Sequence, residues 1–130
     1  MISRLSSILR TLEIVFEEEQ AVLLLGPRKV GKTTFLNKHF LKATYFDLLK
    51  SDVRAKFQIN PTYLRELVLA APNKTYILDE IQKVPSLLDE VHWLIENTKA
   101  RFILCGSSAR KLKRGAANLL GGRAIKFARA

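Results

Sequence analysis

The sequence predicts an α/β fold: a mainly parallel sheet sandwiched by helices, with an amphipathic helix at the N-terminal end. Three observations predict it. Short runs that are apolar at every position, such as Ala21-Val22-Leu23-Leu24-Leu25, read as strands covered on both faces. These runs alternate with segments whose apolar residues recur every three or four positions, the pattern of helices laid over a sheet. The chain has 130 residues, 48% of them hydrophobic, which is enough apolar material for one core and not for two.

Each element follows in order. Ile2, Leu5, Leu9, Leu12 and Phe16 form a helical stripe over residues 3–19, ended by Glu17-Glu18-Glu19-Gln20. The first strand, 21–25, stops at Gly26-Pro27. A helix from Gly31 carries Phe35, Leu36, Phe40 and Leu41 on one side to about residue 41. Residues 43–46 give a second strand, followed by a polar loop. Asn60 reads as an N-cap with Pro61 at the first helical position, opening a helix that turns Leu64, Leu67, Val68 and Ala71 inward. Residues 75–78 form a third strand, halted by Asp79-Glu80. Val84-Pro85-Ser86 starts a helix with Leu88, Val91 and Ile95 on one side and Leu87 and Leu94 beside them. Residues 101–105 are a fourth strand. A short basic helix over 109–114, a weak helix through Leu120, and a fifth strand over 123–127 complete the reading.

Composition excludes several classes. No uncharged run exceeds eight residues, well short of the about 20 apolar residues that a membrane-spanning helix needs. The N-terminal residues build no signal-like apolar block, and one cysteine, Cys105, cannot form an internal disulfide. A cytoplasmic protein with no membrane association is therefore expected. The net charge is +10, from 22 basic and 12 acidic residues, and it is unevenly distributed. Residues 1–96 hold 13 basic and 12 acidic side chains, whereas 97–130 hold 9 basic and none acidic. Such a segment suits nucleic-acid phosphates, a nucleotide, or an acidic partner domain or protein.

Gly26-Pro27-Arg28-Lys29-Val30-Gly31-Lys32-Thr33 fits G-x-x-x-x-G-K-[ST], the P-loop or Walker A pattern, between a predicted strand and a predicted helix. A polyphosphate must be approached closely by main-chain amides, and Gly26 and Gly31 let the loop curl so that they point inward. The following helix aims the positive end of its dipole at the same place. Residues 26–34, through Thr34, are thus the predicted nucleotide-binding segment. The Arg28 and Lys29 side chains should face outward. Lys32 supplies a mobile charge for the β- and γ-phosphates, and the Thr33 hydroxyl is placed to ligate Mg²⁺.

Tyr76-Ile77-Leu78-Asp79-Glu80 delivers two carboxylates at a strand's C-terminal edge, where open α/β sheets bind ligands, and it resembles a Walker B motif. Asp79 would hold Mg²⁺ through its water shell, and Glu80 would orient or deprotonate the attacking water. The plain alternative is a polar strand stop. Ser107 and Ser108 after the fourth strand could reach the γ-phosphate or cap the next helix, and both can hold at once. Phosphoryl transfer also gains from an arginine on the developing charge. Among Arg110, Arg114 and Arg123, the last follows the flexible Gly121-Gly122 and is preferred.

Residues 25–34, Tyr45-Phe46-Asp47-Leu48, Leu78-Asp79-Glu80-Ile81-Gln82-Lys83-Val84-Pro85, residues 104–112 and Leu119-Leu120-Gly121-Gly122-Arg123-Ala124 together resemble the AAA-type ATPase domain of a prokaryotic P-loop family, over about residues 14–127. The resemblance implies a P-loop NTPase core with sheet order 5-1-4-3-2. It also implies Asp79 and Glu80 as the metal and water residues, Ser107 or Ser108 as a sensor, and Arg123 as an arginine contact. Members are usually much longer. A single nucleotide-binding core over 21–130 behind the helix of residues 1–20 is expected; the sequence departs from the family pattern by stopping at Ala130, so the lid and C-terminal domain are expected to be absent and hydrolysis weak. The leading expectation is a Mg²⁺-dependent ATP-binding domain with ATPase chemistry. The alternative is a nucleic-acid-binding module using residues 97–130, for which Phe102 and Phe127 offer few stacking partners.

Overall fold

Every apolar run read as a strand is one in the computed structural model, which describes residues 4–26, 32–106 and 124–126. The strands are β1 (Ala21–Leu25), β2 (Thr44–Asp47), β3 (Thr75–Asp79), β4 (Arg101–Gly106) and β5 (Ala124–Lys126). They pair in parallel in the order β2-β3-β4-β1-β5, which is the expected 5-1-4-3-2. Helix α1 (Arg4–Glu18) precedes the first strand, and α2 (Lys32–His39), α3 (Ser51–Ile59), α4 (Thr62–Ala70) and α5 (Leu87–Asn97) lie between strands.

Alternation along each strand divides the apolar side chains between two faces. Leu23, Leu78, Phe102 and Leu104 meet Phe57, Leu64, Val68, Leu87, Val91 and Leu94 of α3, α4 and α5. Val22, Leu24, Ile77, Ile103 and Cys105 meet Ile8, Leu12, Phe35 and Leu36 of α1 and α2. Each fully buried Leu, Ile, Val or Phe contributes about 1.5–3 kcal/mol relative to its exposed state. β1 is buried at every position, as expected of a central strand in such a sheet.

Polar contacts fix the alignment of these layers. Gln20 Nε2 donates to the Thr98 and Ala100 carbonyls at 2.9 and 2.8 Å, and Phe102 N donates to Gln20 O at 2.7 Å, so β1 and β4 begin in step. Tyr76, stacked on Phe102 at 5.8 Å, donates its hydroxyl proton to Ala71 O at 2.6 Å. Arg65 grips Glu90 with two hydrogen bonds, 2.9 and 3.1 Å, and lies over the Trp93 ring, tying α4 to α5.

The structure departs from the sequence reading at several places. The polar loop expected after β2 contains α3, held to the core by Phe57 at 1% exposure. Asn60 closes α3 and Pro61 occupies the N-cap of α4, so that helix begins one residue later than expected. α2 ends at His39, and Leu41, expected on the buried side, is 82% exposed in the turn beyond it. The buried stripe of α5 is Leu87, Val91 and Leu94, whereas Leu88 and Ile95 are half-buried. The helices expected over 109–114 and through Leu120 lie outside the described residues.

Candidate functional site

The parallel registers carry one continuous row across the C-terminal end of the sheet. Asp47 pairs with Asp79, Asp79 with Cys105, Cys105 with Leu24, and Leu24 with Ile125. One step on, Leu25 pairs with Gly106, and Gly26 N donates to Gly106 O at 3.1 Å, which extends the β1–β4 ladder to the first glycine of the phosphate-loop pattern. With neighbouring strands about 4.8 Å apart, the Asp79 and Leu24 backbones stand roughly 10 Å from each other, with β4 between them. Two residues beyond Leu24 the chain leaves the sheet, and it returns as α2 from Lys32.

Asp79 follows Ile77 by two positions, so it belongs to the sheet face covered by α1 and α2. It is buried at 6% exposure. The Tyr45 hydroxyl donates to its Oδ2, and Leu48 N donates to its carbonyl at 3.0 Å. Glu80 is also buried, at 3% exposure, and its backbone is left-handed, with φ 61° and ψ 46°. An L-residue with a Cβ sits there at a cost of about 1–2 kcal/mol, so a packed surrounding must hold it. Gln82 Nε2 donates to Glu80 Oε1 at 2.5 Å, and Lys83 N donates to Glu80 O at 3.0 Å. The 3₁₀ turn Ile81–Lys83 is pinned by Ile81, which is fully buried.

Of the residues singled out in the sequence, Gly26, Asp79 and Glu80 thus lie at the C-terminal edge of the sheet. Lys32, Thr33 and Thr34 open α2, and the Thr34 side chain is exposed. Pro27, Arg28, Lys29, Val30, Gly31, Ser107, Ser108 and Arg123 lie outside the described residues. Tyr45, Leu48 and Gln82 were not singled out for a role. Their signal was present in the Tyr45-Phe46-Asp47-Leu48 and Asp79-Glu80-Ile81-Gln82 blocks, but nothing in the sequence said what those blocks touch. A groove of about 560 Å³, lined in part by Lys38, Lys42, Lys74 and Thr75, opens at the opposite edge of the sheet and includes neither carboxylate.

Residues 18–128 match the family model described as an AAA domain. The chain belongs to this AAA domain family. Nucleotide binding is the function that accompanies the family and its P-loop ATPase fold. No curated protein sequence matches this AAA domain. Among solved structures, it is similar to Cdc6p from Pyrobaculum aerophilum, with a TM-score of 0.70 and 15% identity over 98% of this chain and 46% of that one. It is also similar to a Walker-type ATPase of Pyrococcus abyssi, with a TM-score of 0.62 and 19% identity over 97% and 54%. The third likeness is to PCH-2 of C. elegans, with a TM-score of 0.61 and 12% identity over 94% and 41%. At these identities the likeness concerns the fold. The AAA domain spans about half the length of these structures or less. Among the described residues, no helix is long and apolar enough to cross a membrane.

Proposed function

We propose that this AAA domain binds ATP as its magnesium complex at the C-terminal edge of the sheet and hydrolyses its terminal phosphoanhydride. The observation that carries the reading is the buried pair Asp79 and Glu80 at the end of β3. It stands one strand removed from β1, whose end runs through the glycine-rich segment into α2. Buried carboxylates are costly unless they are engaged, and a sheet edge beside a helix start is where this chemistry is useful.

The donors fit a hard divalent cation. Magnesium takes oxygen ligands and keeps several waters, which matches one carboxylate, Asp79, and one hydroxyl, Thr33. When bound, the ion would neutralise charge on the β- and γ-phosphate oxygens. The chain's own residues do the rest. Main-chain amides of residues 26–31 and the start of α2 hold the phosphates, and Lys32 adds a positive charge beside them. Glu80, with Oε1 fixed by Gln82, orients the attacking water and accepts its proton as the γ-phosphoryl leaves ADP. Ser107 or Ser108 senses the γ-phosphate, and Arg123 offsets the charge that develops on it. Thermal unfolding with and without MgATP tests the reading. A ligand at a hundred times its Kd adds about 2.7 kcal/mol. The wild-type chain should gain it and Lys32→Ala should not; no shift, or equal shifts, would overturn the proposal.

A further inference from the structure

The site just proposed uses Asp79 but gives no role to Tyr45-Phe46-Asp47-Leu48, and the structure shows what each of the four residues touches. Tyr45 pairs in register with Ile77, so Asp79 is its diagonal neighbour on the same face of the parallel pair, a separation that an aromatic side chain can bridge. Its hydroxyl donates to Asp79 Oδ2. Phe46 points the other way and packs edge-on against Phe57, their centroids 5.3 Å apart, which locks β2 onto α3. Asp47 accepts a hydrogen bond from Leu49 N at 3.0 Å through Oδ1 and so turns the chain off the sheet edge. The amide of Leu48, a fully buried residue, donates to the Asp79 carbonyl as the last rung of the β2–β3 ladder. Two polar contacts therefore converge on one residue, one on its side chain and one on its main chain.

We infer that the end of β2 is a clamp for the metal-holding carboxylate, with Tyr45 as its positioning residue. The hydrogen bond to Oδ2 selects one rotamer of Asp79 before any ligand arrives, beside the carboxylate of Asp47. That like charge stands directly opposite in the register, where it would repel. Groups that orient a metal ligand in this way typically contribute about 10–100-fold to metal affinity. The inference rests on the proposed nucleotide site, and its test separates the two.

The experiment measures the affinity of the full chain for a fluorescent ATP analogue in EDTA and in Mg²⁺, and takes the ratio of the two. Tyr45→Phe removes one oxygen and keeps the ring. It should leave binding in EDTA unchanged and reduce the ratio by about tenfold. In an Asp79→Asn background the same change should have no further effect, which a merely structural tyrosine would not produce. A ratio equal to that of the wild type, or equal losses in both backgrounds, overturns the clamp while leaving the nucleotide site standing. No binding by the wild type under either condition overturns both. A second measurement needs no substitution at Tyr45. In chain labelled with 3-fluorotyrosine, one of the three tyrosine signals in the ¹⁹F spectrum should move on Asp79→Asn and again when Mg²⁺ joins the nucleotide complex. Three unmoved signals overturn the clamp.

Discussion

The hydroxyl of Tyr45 donates to Asp79 Oδ2 across the β2–β3 pair, joining residues that lie 34 positions apart in the chain. The edge strand thereby reaches a carboxylate that the neighbouring strand carries to the rim of the sheet. Beside it, Glu80 is held by Gln82. The two consecutive acids have different partners, which suits different tasks.

Glu80→Gln keeps the size of the side chain and removes its basicity. ATP binding, read as thermal stabilisation by MgATP, should persist, while phosphate release should fall by about 10²–10⁴-fold. Undiminished release would remove Glu80 from the proton-accepting role.

The left-handed backbone of Glu80 predicts an unusual order of stabilities. Glu80→Ala and Glu80→Gly both delete the side chain and its bond to Gln82, but only glycine is at ease at φ 61°. The glycine variant should therefore be the more stable by about 1 kcal/mol in denaturant unfolding, the reverse of the usual ranking inside regular structure.

Phe57 anchors the helix that the sequence reading missed. Phe57→Ala removes a ring that is 1% exposed and contacts both Phe46 and Tyr63. Denaturant unfolding should show a loss of about 3–5 kcal/mol. A loss under about 1 kcal/mol would mean that α3 does not close this core.

Burial pushes the Tyr76 phenol above its ordinary value of 10.0. A group whose pKa is higher folded than unfolded stabilises fully below the unfolded value, and its contribution is lost as the pH rises through the folded one. Stability from Tyr76 should thus be intact up to pH 10 and decline above it. Tyr76→Phe should flatten that alkaline decline. At neutral pH it should cost about 0.5–1.5 kcal/mol, from the lost bond to Ala71 O. Unfolding free energies at pH 8 and about pH 11 check both arms.

What the sequence made legible was what repeats along the chain. Ala21–Leu25 and residues 102–106 are covered on both faces, so they announce themselves as nearly continuous apolar runs, and their parallel pairing followed from the alternation with helices. Ser51–Ile59 was illegible for the opposite reason. Val53, Ala55, Phe57 and Ile59 alternate with Asp52, Arg54, Lys56 and Gln58, a two-residue rhythm foreign to a helix, and only the packing of Phe57 overrides it. The Val53 to Phe57 step of four was the one helical cue. In the candidate site, Asp79 and Glu80 could be picked out by position at a strand end. Tyr45 could not, since its contact exists only once β2 has been placed beside β3 in a particular register.

The row running from Asp47 through Asp79, Cys105 and Leu24 has a practical consequence. The chain's one cysteine is a ready-made reporter planted beneath the rim that the nucleotide is proposed to occupy. Its sulfur is shut away from reagents, so alkylation must wait for the strands to part there, and the labelling rate times that local opening. A nucleotide that welds the rim together would slow the clock without any engineered probe.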